Sequence, residues 1–215
     1  MMNNTKKMQE HVKRRYNQSL LVKYFELGKF ISFWKQDEKA RRYGAKSLNL
    51  KQEDYVLNLA CGPGFDFDYI IPLIGTKGKI LALDYSKAML KLAKKRAESC
   101  GWKNIEFIHN DAAKIFYKNK FDAAMITLGL TVIPNWKKSL KKMVNSVKPN
   151  GRVVIIDGKL LNGPLKIFNF WVKFISCLAA AQSERDIITE SKKYLKNVEI
   201  KEFLFGGLFV LSGTK

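Results

Sequence analysis

The run Tyr55-Val-Leu-Asn-Leu-Ala-Cys-Gly-Pro-Gly64 carries the densest chemistry in the chain. An apolar stretch too short for a helix ends in a Gly-Pro-Gly turn. A second apolar stretch from Lys79 to Leu83 ends in Asp84, about twenty residues after Gly64. In such a β-loop-α-β opening, backbone N–H groups of the glycine turn can approach a ligand at the C-terminal edge of a strand. The carboxylate that closes the second strand can accept hydrogen bonds from a ribose diol. A dinucleotide fingerprint requires a third glycine three residues past Gly64, and Phe67 stands there. A ring at that position keeps the helix off the strand and removes the amide cradle that a pyrophosphate needs. The spacing therefore predicts a ligand built on adenosine without a phosphate chain.

Four segments in register, spanning residues 50–158, resemble the motifs of class I S-adenosylmethionine-dependent methyltransferases. Leu57-Asn-Leu-Ala-Cys-Gly-Pro-Gly64 resembles the first motif and Asp84-Tyr-Ser-Lys-Ala-Met-Leu90 the second. Asn110-Asp-Ala112 resembles the third, and Val147-Lys-Pro-Asn-Gly-Arg-Val-Val154 the stretch leading into strand five. The resemblance implies S-adenosylmethionine as cofactor. It places Asn58, Ala60, Cys61, Gly62 and Gly64 near the methionine and ribose, and Asp84 on the ribose hydroxyls. Tyr85, Met89, Asn110, Asp111 and Ala112 fall around the adenine, and Thr127 and Leu128 toward the transferable methyl. Plainer roles stay open beside these: turn capping for Asp84 and Asp111, core packing for Met89 and Cys61, and a structural role for His109. Two positions depart from the pattern. Asn58 replaces an aspartate and loses a charge that favours the cofactor's ammonium, so Asn58→Asp is expected to tighten binding. Ala60 replaces a glycine, and its methyl is tolerable if the backbone there has negative φ. A nucleotide fold that has lost its ligand is the bland alternative, against which Gly62, Gly64, Asp84 and Asp111 all stand.

Methyl transfer from a sulfonium is an in-line displacement of an already activated group, so the protein supplies positioning and water exclusion. No catalytic triad or carboxylate pair is needed, and none is legible. The loop after strand four, Thr127-Leu-Gly-Leu130, lacks the Asn/Asp-Pro-Pro-aromatic sequence of enzymes that methylate nucleobase amines. It also lacks a cysteine for pyrimidine C5 chemistry. Cys61, Cys100 and Cys177 are too scattered for arsenic methylation or a metal site, and no metal is expected. The pattern is similar to methyltransferases of quinone biosynthesis and of bacterial phosphatidylethanolamine N-methylation. The expected substrate is thus a small apolar or amphiphilic molecule, a quinone precursor or a phospholipid headgroup amine. An RNA methyltransferase and a non-catalytic, membrane-associated cofactor-binding protein are the alternatives. Tyr16 lies where lid tyrosines of related enzymes contact cofactor or substrate.

The elements that must position these residues alternate. Strands are expected at 55–59, 79–84, 105–109, 121–127 and 152–157, with helices between them. Ser86 caps one helix that Gly101 stops, and Pro72 keeps another short. Residues 164–181 read as an apolar helix, and Gly206-Gly207 as a tight turn between two final strands. The fold class is α/β, a Rossmann-like seven-stranded, mostly parallel sheet with an antiparallel C-terminal hairpin and helices on both faces. It forms a single domain with a helical lid (1–46), a cofactor-binding core (50–158) and a substrate-side segment (159–215).

Of 215 residues, 47% are hydrophobic, enough for a packed core. The net charge of +20, from 39 Lys+Arg against 19 Asp+Glu, exceeds what a cofactor requires. It suits an anionic membrane surface or, as the weaker alternative, nucleic acid; a solvated lysine-rich surface needs no partner at all. The N-terminus lacks a signal-peptide core and the cysteines read as reduced thiols. A cytoplasmic protein is expected, peripheral at the inner face of the membrane.

Overall fold

The computed structural model describes Glu10 and residues 32–215; Tyr16 and, Glu10 apart, the rest of the expected lid before Ser32 lie outside the described residues. The helix α1 (Ser32–Ser47) leads into β1 (Tyr55–Leu59). Alternating units follow: α2 (Phe67–Ile74), β2 (Lys79–Asp84), α3 (Lys87–Ser99), β3 (Ile105–His109), β4 (Phe121–Thr127), α4 (Trp136–Ser146) and β5 (Val147–Gly158). The chain closes with α5 (Asn169–Leu178), α6 (Ile187–Lys192), β6 (Lys196–Phe203) and β7 (Leu208–Thr214).

The strands form one sheet in the order β3-β2-β1-β4-β5-β7-β6. β1 to β5 run parallel, and β7 runs antiparallel to both β5 and β6. The antiparallel strand β7 therefore lies one place in from the edge, which β6 forms among the described residues. Strand alternation sends side chains into two cores, one on each face. Leu57, Leu59, Leu81 and Leu83 pack with Leu140 and Met143 of α4 and Ile187 of α6. Val56, Ile80 and Ala82 pack with Ala40 of α1, Phe67, Ile70 and Ile74 of α2, and Ala93 of α3. Burial on both faces is why β1, β2 and β4 read as continuous apolar runs. Arg152 on β5 fixes the end of α1 by donating from Nε to the Ser47 carbonyl at 3.0 Å.

The Ser86 hydroxyl accepts from the Met89 amide at 3.3 Å, capping α3, and Gly101 ends the helix at φ +70°. Pro72 sits inside an α2 of eight residues. Two expectations needed correction. Residues 163–168 form a 3-10 turn, so the apolar helix begins only at Asn169. The β6–β7 link is a four-residue turn rather than a two-glycine one, with Leu204, Phe205 and Gly206 all at positive φ.

Candidate active site

The strand order reverses between β1 and β4: the chain steps outward from β1 to β2 and β3, then returns to the other side for β4 and β5. A crevice opens outside the carboxyl ends of the strands at such a switch point. Ala60, Cys61, Gly62, Gly64, Asp84, Asn110, Thr127 and Leu128 all lie on the loops and strand ends of that edge. The backbone there is unusually bent, with Ala60 at φ +51°, Gly62 at +54°, Gly64 at +84° and Leu128 at +52°. Ala60 thus fails the condition set for it, a negative φ: its Cβ is held in the left-handed region, a strain of about 1 kcal/mol that a glycine would not carry.

Asp84 ties the edge together. Its Oδ2 accepts from the Gly62 amide and its Oδ1 from the Ser86 amide, each at 2.8 Å. Burial pushes its pKa up, and the backbone N–H groups of Ser86 and Gly62 oppose that shift. The Tyr85 amide is a third such donor, and a carboxylate has about four acceptor sites, so capacity remains for a ribose hydroxyl. Asp111 does cap: its Oδ1 accepts from Ala113 at 2.8 Å at the start of a 3-10 turn over Ala112–Lys114. Tyr85 is partly exposed and stacks on His109, whose Nε2 lies 2.9 Å from the Tyr85 carbonyl oxygen. Met89 is buried in the first turn of α3. Cys61 is buried, and burial, followed by the charges of Asp84 and Asp66, pushes its thiol well up, which leaves it without nucleophilic character.

Phe67, in place of the third glycine, turns its fully buried ring against Trp102 and Phe107. The ring lies so close that a Cβ on Gly64 would meet it at 2.4 Å. The turn is therefore packed from beneath and open above: a Cβ on Gly62 would meet nothing within 4 Å.

The sequence reading missed a buried polar cluster beneath this turn. Asn58 points to the α1–α2 face and is fully buried, and its Nδ2 donates to Asp66 Oδ2 at 2.9 Å. Asp66 Oδ1 accepts from Arg41 at 2.5 Å and from the Thr127 hydroxyl at 3.1 Å, and Arg41 Nε donates to Asp37 at 2.7 Å. Burial works against the charge of Arg41, but the Asp66 and Asp37 carboxylates outweigh it and raise its pKa. The negative charge absent at position 58 is thus present one hydrogen bond away, on Asp66. Asn58 Oδ1 finds no donor among the described residues. The Thr127 hydroxyl, expected to face the methyl group, is committed to Asp66. The available signal was one acid just past the glycine turn, at the head of an apolar helix that has to bury it.

A second missed cluster joins the tips of β4 and β5. Asp157 accepts from the Thr131 hydroxyl at 2.6 Å, the Thr131 amide at 3.1 Å and the Gly158 amide at 2.9 Å. Burial pushes its pKa up against those hydrogen bonds. Arg185 donates to the carbonyls of Leu130 and Ile133, and burial lowers its pKa to about 10. Among the described residues no group of three or more His, Cys, Asp or Glu could hold a metal.

The residues present fit S-adenosylmethionine: an open Gly62 cradle, an unpaired buried acceptor on Asn58 and a carboxylate with spare lone pairs on Asp84. The comparisons agree. The chain resembles the demethylmenaquinone methyltransferase of Oceanobacillus iheyensis, at 30% identity over 89% of this chain and 84% of that protein. It also resembles that of Bacillus cereus, at 33% identity over 90% and 91%. Among solved structures, an S-adenosylmethionine-dependent methyltransferase from Aquifex aeolicus superposes with a TM-score of 0.57 at 22% identity, over 81% of this chain and 88% of that one. The YcgJ protein of Bacillus subtilis gives 0.63 at 15%, over 83% and 98%. At those identities the two structures speak for the fold alone. The model of the ubiE/COQ5 methyltransferase family matches residues 3–199, and this chain, an S-adenosylmethionine-dependent methyltransferase, belongs to that family.

Proposed function

We propose that the acceptor is a lipid-soluble quinol of the demethylmenaquinone type, methylated on a ring carbon. The observation that carries this reading is the resemblance to demethylmenaquinone methyltransferases over 84% and 91% of their own length. The site supports it: Thr127-Leu-Gly-Leu130 at the tip of β4 offers no acidic or prolyl clamp for an exocyclic amine.

S-adenosylmethionine, when bound, supplies a methyl group activated by sulfonium charge. The chain's own part is positional. Asp84 and the open face at Gly62 would hold the donor's ribose end, and Asn58 Oδ1 would accept from its ammonium.

The test supplies purified protein with S-adenosylmethionine and reduced demethylmenaquinone in detergent micelles, with phosphatidylethanolamine and structured RNA as parallel acceptors. Mass spectrometry should show one added methyl group on the quinol ring. Methylation of the lipid amine or the RNA, with none on the quinol, would replace this reading.

A further inference from the structure

We infer that the segment Gly163–Leu178, together with the β6–β7 turn, is a docking face for an anionic phospholipid bilayer at the mouth of the active-site crevice. Ile167, Phe170, Trp171 and Phe174 recur at the spacing of one helical face, and all are exposed, Phe170 at 72% and Trp171 at 60%. Their rings brace one another edge to face, Phe170 on Trp171 at 5.9 Å and Trp171 on Phe174 at 6.3 Å. Contiguous exposed apolar surface of this kind marks an interaction site.

The position of the face follows from its anchors. The segment leaves the C-terminal end of β5, where the Asn169 side chain clasps the backbone of Leu161 at 2.8 and 3.1 Å. It returns to the tip of β4, where the Gln182 amide donates to the Thr131 carbonyl at 2.9 Å. Both anchor points lie on the edge that carries the crevice. The β6–β7 turn projects from the same edge, with Phe205 exposed at 84%, and the Lys159 amide joins it at the Gly207 carbonyl at 3.0 Å.

Charge selects the occupant. A chain of net charge +20 is drawn to an anionic surface, and Lys166 is exposed within the aromatic stretch. Aromatic rings with flanking lysines suit the headgroup boundary, where a helix lies in the plane of the membrane. Among the described residues no helix is long and apolar enough to cross a bilayer. Delivery of the acceptor from that bilayer into the crevice rests on the quinol reading; the docking itself does not.

The full chain should be sedimented with vesicles of phosphatidylglycerol and phosphatidylcholine, and separately with phosphatidylcholine alone. Anionic vesicles should pellet it, with part of the binding surviving high salt because the aromatic anchor does not depend on charge. Phe170→Glu with Trp171→Glu should lower the partition coefficient at least tenfold, while S-adenosylmethionine affinity reports an intact fold. Lys166→Glu should weaken binding at low salt only. Equal pelleting of wild type and the double variant would overturn the inference. So would failure to bind anionic vesicles, whether with steeply salt-dependent RNA binding or with a dimer that Phe170→Glu dissociates. Vesicle binding without quinol methylation would sink the substrate reading and leave the docking face standing.

Discussion

Asn58→Asp restores the residue that the methyltransferase motif leads one to expect, and the structure reverses the expected benefit. The side chain at 58 is fully buried with its Nδ2 2.9 Å from Asp66 Oδ2. A carboxylate there would face a second carboxylate at roughly 3 Å, a repulsion of about 5 kcal/mol at an effective dielectric constant of 20. It would also forfeit a charge-assisted hydrogen bond worth about 1.5–3 kcal/mol. Arg41 stays on Asp66 and offsets part of this, so a net cost of about 3–5 kcal/mol is expected, the range for an uncompensated buried charge. The sign with pH is fixed: the new carboxyl, desolvated beside Asp66, has a folded pKa raised above its unfolded value. Its cost is therefore full above the raised pKa and fades as pH falls through it. Urea unfolding across that range, paired with S-adenosylmethionine titrations, measures both effects. The double exchange Asn58→Asp with Asp66→Asn should recover most of the lost stability. Wild-type stability at neutral pH, with tighter binding of the cofactor but not of an analogue lacking the amino group, would refute the reasoning.

Asp84→Ala should weaken S-adenosylmethionine binding by about 1.5–3 kcal/mol through lost hydrogen bonds, and it frees the Gly62 amide as well; unchanged affinity by calorimetry would remove Asp84 from the site. Ala60→Gly should stabilise the protein by up to about 0.6 kcal/mol in denaturant, because relief at φ +51° outweighs the added unfolded-state entropy. Phe67→Ala should cost about 3–5 kcal/mol without admitting NADH, since the ring fills the core beneath the turn. Asp157→Asn should cost more stability at acid pH than at neutral pH. The raised folded pKa means the folded wild type binds the extra proton, so its stability rises as pH falls into that window, and the amide cannot follow.

What the sequence made legible was whatever repeats along the chain. The apolar runs of β1, β2 and β4, the Ser86 cap, the Gly101 stop and the glycine turn each announce themselves within a few residues. The Asn58–Asp66–Arg41–Asp37 cluster does not, because its members are joined across α1, β1 and α2, and nothing in their spacing pairs them. The same holds for Thr131, Asp157 and Arg185, drawn from three separate loops and strand ends. Ala60 shows a different limit. Its identity was plain, but the sign of its φ depends on the three-dimensional course of the turn and is not written in the residue type. The β6–β7 link was misjudged because Gly206-Gly207 satisfies a two-residue turn locally, while the register of Phe203 opposite Leu208 requires four residues.

The placement of β7 between β5 and β6 has a consequence for the order of assembly on the ribosome. β6 emerges before β7 yet, among the described residues, bonds to no other strand, so it has no ladder to join when it appears. The first five strands can pair as they emerge, whereas β5 keeps an open edge until β7 slides in beside it and recruits β6. During that interval an unpaired, apolar strand edge is available to neighbouring chains. Conditions that slow synthesis just before Leu208 should therefore favour aggregation of nascent chains over loss of activity in chains already complete.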